Sequence, residues 1–223
     1  MGHIASQLNE IKLTLPPQVI LVAVSKFHPV EAIMEAYDAG QRVFGESRAV
    51  ELVKKAQELP GDIQWHFIGH LQTNKVRSIL PYVTLIQSID SERLLRLVDS
   101  EAARIGKMAD VLLQLHVALE ETKFGFSPEE IHEFASSGIL SGLQHVRVRG
   151  VMGMASNVDD ESRVIADFKA IRKGFDELKS GVMHGNEAFD TVSMGMSHDY
   201  LDAIECGGTM VRIGTTIFGN REY

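Results

Sequence analysis

The sequence predicts a single (β/α)8 barrel of the TIM type, an α/β domain over residues 1–223 with an extra helix ahead of its first strand. Three observations carry this. Eight short apolar runs alternate with helical patterns; no intervening segment has the composition of a linker; and no glycine-rich dinucleotide fingerprint follows the first strand, as an open doubly wound sheet would favour. The length is close to the ~250 residues usual for such barrels.

The elements follow in order. Ile4, Leu8, Ile11 and Leu15 share one helical face, and LPPQ stops that helix. VILVAVSK (19–26) is the first strand. VEAIMEAYDAG then leads to RVFGE (42–46), AVELVKKAQEL to IQWHFIG (63–69), and the GHLQTNK loop to VTLIQSID (83–90). SERLLRLVDSEAARIG precedes VLLQLHVA (111–118), SPEEIHEFASSG precedes VRVRGVMGM (146–154), and DDESRVIADFKAIRKGFDELKSG precedes FDTVSMG (189–195). A helix from about His198 to Cys206, capped by Ser197, leads to TMVRIG (209–214). Several helices open on Asp or Ser and close near Gly.

Composition narrows the function classes. A formal net charge of −8 opposes nucleic-acid binding, which needs clustered cations against phosphates. No apolar run reaches the roughly 20 residues of a membrane span, and MGHIASQLNEIKLTL is too polar for a signal core, so a cytoplasmic protein with no membrane partner is expected. The single cysteine, Cys206, excludes an internal disulfide framework or a Cys-based zinc site. His66 and His70 sit on a strand and then a loop, where His-x-x-x-His spacing does not bring two ligands together, so no metal is expected.

In such a barrel the active face is built from the C-terminal strand ends. Those ends hold Lys26, Glu46 with Ser47, His66 with the GHLQTNK loop, Met152 and Met154, SMGMS, and Arg212 with Gly214 and Thr215. Ser197 as a helix cap offers a hydroxyl and free N–H groups to an anion. Gly214 lets the backbone approach closely, and Thr215 adds a hydroxyl beside it. Barrels of this type commonly hold phosphate after strands seven and eight. A lysine amine opposite a phosphate cradle suits pyridoxal 5′-phosphate (PLP), whose aldehyde and phosphate lie on opposite sides of the ring. Arg212 is placed to reach the ring nitrogen, or else to pair with Glu46 in the barrel mouth. Lys26 alone also reads as a solvated strand-end lysine, Ser197 as a plain cap, and the methionines at 152, 154, 194 and 196 as irregular core filling. A sugar phosphate bound by a lysine Schiff base fits the same pattern.

LVAVSKFHP, FGES, WHFIGHLQTNK, SMGMSHDY and VRIGTTIFG together resemble the pyridoxal phosphate homeostasis protein family, small barrels similar to the N-terminal domain of alanine racemase. The resemblance covers nearly the whole chain. It implies that Lys26 holds PLP as a Schiff base, that Ser197, Gly214 and Thr215 hold the phosphate, and that Arg212 faces the pyridine nitrogen. Ser47 stands where many members carry Asn near the cofactor's phenolic oxygen. Racemases add a tyrosine from a second, β-rich domain and a histidine beneath the ring; here the chain ends at Tyr223 and Met154 occupies the matching position, so no catalytic residue and no racemization are expected. Lys123 falls where racemases place an Arg, and a solvated loop lysine reads equally well. The resemblance implies a carrier for intracellular PLP, monomeric, with PLP-dependent apo-enzymes as its recipients. The alternative is a PLP-dependent enzyme acting on amino acids.

Overall fold

The computed structural model describes residues 2–120 and 124–219; Lys123 and Tyr223 lie outside the described residues. Eight parallel strands close into a barrel in chain order: β1 (Ile20–Val24), β2 (Val43–Glu46), β3 (Gln64–Phe67), β4 (Val83–Ile89), β5 (Ala109–Leu115), β6 (Val146–Gly153), β7 (Thr191–Ser193) and β8 (Met210–Ile213). β1 pairs with β2 on one side and with β8 on the other, Val22 opposite Arg212, which seals the barrel. This is the predicted architecture.

Around the strands run α1 (His3–Thr14), α2 (Val30–Asp38), α3 (Ala49–Glu58), α4 (Val76–Ile79), α5 (Glu92–Arg104), α6 (Pro128–Ser136), α7 (Ile139–Gly142), α8 (Glu161–Ser180), α9 (Tyr200–Glu205) and α10 (Thr215–Phe218). Local chemistry sets several boundaries. Ser91 Oγ accepts the Leu94 N–H to start α5; Ser127 and Glu130 form a reciprocal capping box ahead of Pro128; and the Asp160 carboxylate caps α8. Among the described residues no helix is long and apolar enough to cross a membrane.

Strand alternation divides the core into two shells. Outward residues such as Leu21, Ala23, Phe44, Trp65, Phe67, Val111, Val192 and Val211 pack beneath the helices. Inside, Val22, Leu85, Leu112, Met152 and Met210 plug the barrel, with Met154 against them. Three of the four methionines singled out in the sequence are thereby core filling: Met152 and Met154 inside the barrel, Met194 in the outer shell. Beside the plug lies a polar inner set of His66, Gln87, Ser193 and Arg212, each at most 5% exposed.

The expected element boundaries are displaced at several places, and two of these matter. β1 stops at Val24, so Ser25 and Lys26 belong to the turn beyond it. The helix after β7 starts at Tyr200, not His198, because Asp199 takes the cap position. The GHLQTNK loop also contains a 3-10 turn, Thr73–Lys75, leading directly into α4, which the sequence pattern does not announce.

Candidate functional site

Of the six residues singled out for cofactor binding, Arg212 lies within β8 and the other five lie just beyond the C-terminal ends of four neighbouring strands, β7, β8, β1 and β2. Lys26 is half-buried in the turn after β1. Ser47 is half-buried immediately after β2. Thr215 opens α10 and is exposed.

The turn carrying Lys26 is tightly built. The His28 N–H donates to Ser25 O at 3.1 Å, so Lys26 and Phe27 are its two central residues. Phe27 has φ of +67°, the one positive φ at a non-glycine residue among the described residues. Its N–H donates to Glu51 Oε1 at 2.7 Å, and the Arg48 guanidinium lies over its ring at 4.4 Å. Ser25 Oγ donates to Glu46 Oε1 at 2.6 Å, and Lys55 Nζ donates to Ser25 O, Glu46 Oε1 and Glu51 Oε1 at 2.8, 2.8 and 2.7 Å. Burial pushes the Glu46 carboxyl above its ordinary range, and the Lys55 charge and hydrogen bonds oppose that.

Ser197 is not the cap of the following helix. The Asp199 carboxylate instead accepts the Met196 N–H, and Ser197 Oγ accepts the Gly214 N–H at 3.3 Å. The serine thus ties the loop after β7 to the loop after β8. Gly195, at φ +89°, allows this path; a Cβ there would come within 2.6 Å of Ala203 Cβ. A Cβ on Gly214 would sit 3.2 Å from Val24 O, so the β8 loop lies with its backbone directly against the strand that leads to Lys26. The first N–H groups of α10 have no partner within their own helix.

Arg212 does not pair with Glu46. Glu46 faces α3 outside the barrel wall, whereas Arg212 points inside, its Nη1 donating to Ser193 Oγ at 2.7 Å and its Nη2 to Gly153 O at 2.9 Å. Ser193 Oγ donates onward to Gln87 Oε1 at 2.6 Å, and Gln87 Nε2 meets His66 Nδ1 at 2.9 Å. Burial lowers His66 to about 3, so it is neutral and accepts at Nδ1 with its proton on Nε2. Burial also lowers Arg212, to about 10, which leaves the guanidinium charged at neutral pH. Four side chains therefore form a one-way donor chain from a cation to a neutral imidazole. His70 is elsewhere, at the rim, where it pairs with Asp90 at 2.9 Å and stacks on Phe124. Among the described residues no three His, Cys, Asp or Glu side chains gather as metal ligands would.

This donor set fits a phosphorylated aldehyde. Its donors are of the types that group needs, a primary amine at Lys26, hydroxyls at Ser197 and Thr215, and a charged guanidinium at Arg212, all from neighbouring strand ends. Sequence reasoning missed Phe27, Glu51, Lys55, Gln87 and Ser193. Lys55 had a readable signal, because it occupies the buried stripe of α3 at three-residue spacing with Ala49 and Leu52, where an apolar residue is expected.

Residues 1–222 match the family described as alanine racemase, N-terminal domain. Proteins named pyridoxal phosphate homeostasis protein from Schizosaccharomyces pombe and Escherichia coli are 38% and 39% identical, over 91% and 93% of this chain and 84% and 88% of theirs. The solved structure of PipY from Synechococcus elongatus without PLP superposes with a TM-score of 0.91 at 37% identity, covering 97% of this chain and 100% of that one; the same protein with PLP bound gives 0.87 at 38%, with the same coverage. Alanine racemase from Clostridium difficile, at 17% identity and a TM-score of 0.77 over 99% of this chain and 57% of its own, shares the fold. A barrel closed in this order, with matches of this extent, belongs to the pyridoxal phosphate homeostasis protein family.

Proposed function

We propose that residues 1–223 act as one PLP-holding unit serving intracellular PLP homeostasis, with Lys26 as the covalent attachment point. The observation that carries this is the Ser197–Gly214 bond, which joins the β7 and β8 loops beside β1 and so sets a hydroxyl-and-amide cradle next to the lysine turn. When bound, PLP supplies an aldehyde that condenses with a primary amine, with loss of water, and an electron-accepting ring. Lys26 offers the amine; Ser197 and Thr215 offer donors to the phosphate, with Gly214 bringing the backbone close to it; Ser47 flanks the cofactor from β2; and Arg212 offers a charged donor to the ring nitrogen. A guanidinium there keeps that nitrogen unprotonated and limits the ring as an electron sink, which suits storage more than turnover. The relatives' names, homeostasis proteins and not enzymes, support the same reading, and PLP-dependent apo-enzymes are its natural recipients. A cytoplasmic monomer is the working form.

The test is the absorbance spectrum with added PLP, before and after borohydride, for wild type and Lys26→Ala. A visible band in wild type that reduction removes, leaving a pyridoxyl mass on the peptide containing Lys26, supports the proposal. Equal behaviour of the two proteins sinks it. Saturable turnover of an amino acid by the loaded wild type would replace the carrier with the enzyme reading.

A further inference from the structure

Two features of the Lys26 turn are unexplained by cofactor binding alone. A phenylalanine adopts a left-handed backbone, which bulky side chains avoid. A lysine is also buried in the apolar stripe of a neighbouring helix, with three acceptors around its ammonium group. They meet at one atom, Glu51 Oε1, which accepts both the Phe27 N–H and Lys55 Nζ. Lys55 in turn reaches Ser25 O, so the backbone is gripped on both sides of Lys26: at Ser25 before it and at Phe27 after it. Glu46, fully buried, anchors the grip to β2 through Lys55 and the Ser25 hydroxyl.

We propose that Glu51, Lys55 and Glu46 are positioning residues for Lys26: a clamp from α3 and β2, outside the barrel wall, that holds the attachment turn in a strained backbone and so presents the amine inward. The proposal rests on Lys26 being the attachment point. Lys55 joins the two carboxylates, and all three bond to the turn from outside the wall. Their effect runs through the backbone at residues 25 and 27. The turn would otherwise relax toward a negative φ at Phe27, changing the direction in which the chain leaves β1 and with it the placement of the lysine stem. An open groove of about 1010 Å³, lined by Phe27, Arg48, Glu51, Lys54, Lys55 and Phe218, lies on the outer side of the clamp. The turn borders this groove, with His28 stacked on Phe218 and Arg48 over the Phe27 ring, and the clamp grips its backbone from the α3 side.

The experiment is a double-mutant cycle between Glu51 and Phe27, with the PLP dissociation constant and urea stability of the cofactor-free protein measured in parallel. Glu51→Ala is expected to weaken PLP binding about tenfold, the size of one backbone strain term. Glu51→Gln keeps the accepting oxygen and should remain within about threefold of wild type. In a Phe27→Gly background, where positive φ is unstrained, Glu51→Ala should cost less than about threefold. Should Glu51→Ala fail to fold, Glu51→Asp withdraws the oxygen by one methylene and serves in its place. A Glu51→Ala protein that loses stability but binds PLP as wild type overturns the clamp as a positioning device, as does a Phe27→Gly background that gives no rescue. In either case a borohydride-fixed adduct on Lys26 leaves the attachment reading standing. Absence of that adduct in wild type overturns the attachment reading, and this proposal with it.

Discussion

The two faces of the barrel wall near Lys26 solve the same problem differently. Inside, one buried cation, Arg212, donates to neutral acceptors, the Ser193 hydroxyl, which leads on to Gln87 and His66, and the Gly153 carbonyl, with the Asp199 charge acting on it without a hydrogen bond. Outside, a buried lysine is stabilised by two carboxylates and a carbonyl clustered around it. The inner line leaves a guanidinium charged and fixed in orientation. The outer cluster uses up its charges on itself and acts only on the backbone. A cation meant to act on a ligand is better held by dipoles than by a carboxylate, which would compete for it.

The largest expected effect comes from removing the cation of the outer cluster. Lys55→Met leaves Glu46 as a buried, unpaired carboxylate and should lower stability by about 3–5 kcal/mol in urea unfolding. That loss should shrink on acidification. Glu46 already titrates above its ordinary range in the wild type, and the variant lacks the charge that opposes the shift, so protonation removes the penalty as pH falls. A loss independent of pH would place the fault in packing and not in charge.

Breaking the inner line should do less. Ser193→Ala removes the acceptor of Arg212 Nη1 and the donor to Gln87, and is expected to cost about 1–3 kcal/mol. It should also shift the absorbance maximum of bound PLP, because the guanidinium loses one of its two anchors; an unchanged spectrum would separate Arg212 from the cofactor.

Acid behaviour sharpens the contrast. His66 titrates near 3 when folded and near 6.5 when unfolded, so the unfolded chain binds more protons across that window and stability rises with pH through it. Between pH 6.5 and 5 this amounts to about 2 kcal/mol, and His66→Gln should flatten that limb of the stability curve. The smallest effect belongs to a site far from both networks: Ser127→Ala, at the capping box of α6, should cost about 1 kcal/mol and leave PLP binding unchanged.

Much of this molecule was legible in its sequence. The eight apolar runs become eight strands, because alternation between β-branched runs and helical stripes is a strong and repeated signal. Lys26, Ser197, Arg212, Gly214 and Thr215 stand out because they sit at strand ends in a fold whose ends are functional. The details that escaped are those set by pairs distant in sequence. Asp199 taking the cap from Ser197 depends on a loop path that Gly195 opens, and Glu46 choosing Lys55 over Arg212 depends on which side of the wall each faces. Phe27 gives no hint of a left-handed backbone, since Gly or Asn is the usual marker for one. The residue type pointed the wrong way; the acceptor at Glu51 is far from it in sequence.

Closure of the barrel through β1 and β8 has a further consequence. Val22 lies opposite Arg212, so the turn bearing Lys26 and the loop bearing Gly214, from opposite ends of the chain, become neighbours only with the last strand in place. During synthesis the lysine emerges early and waits through seven strands for its counterpart. The two loops cannot meet on any shorter intermediate, so their meeting reports that the ring has closed.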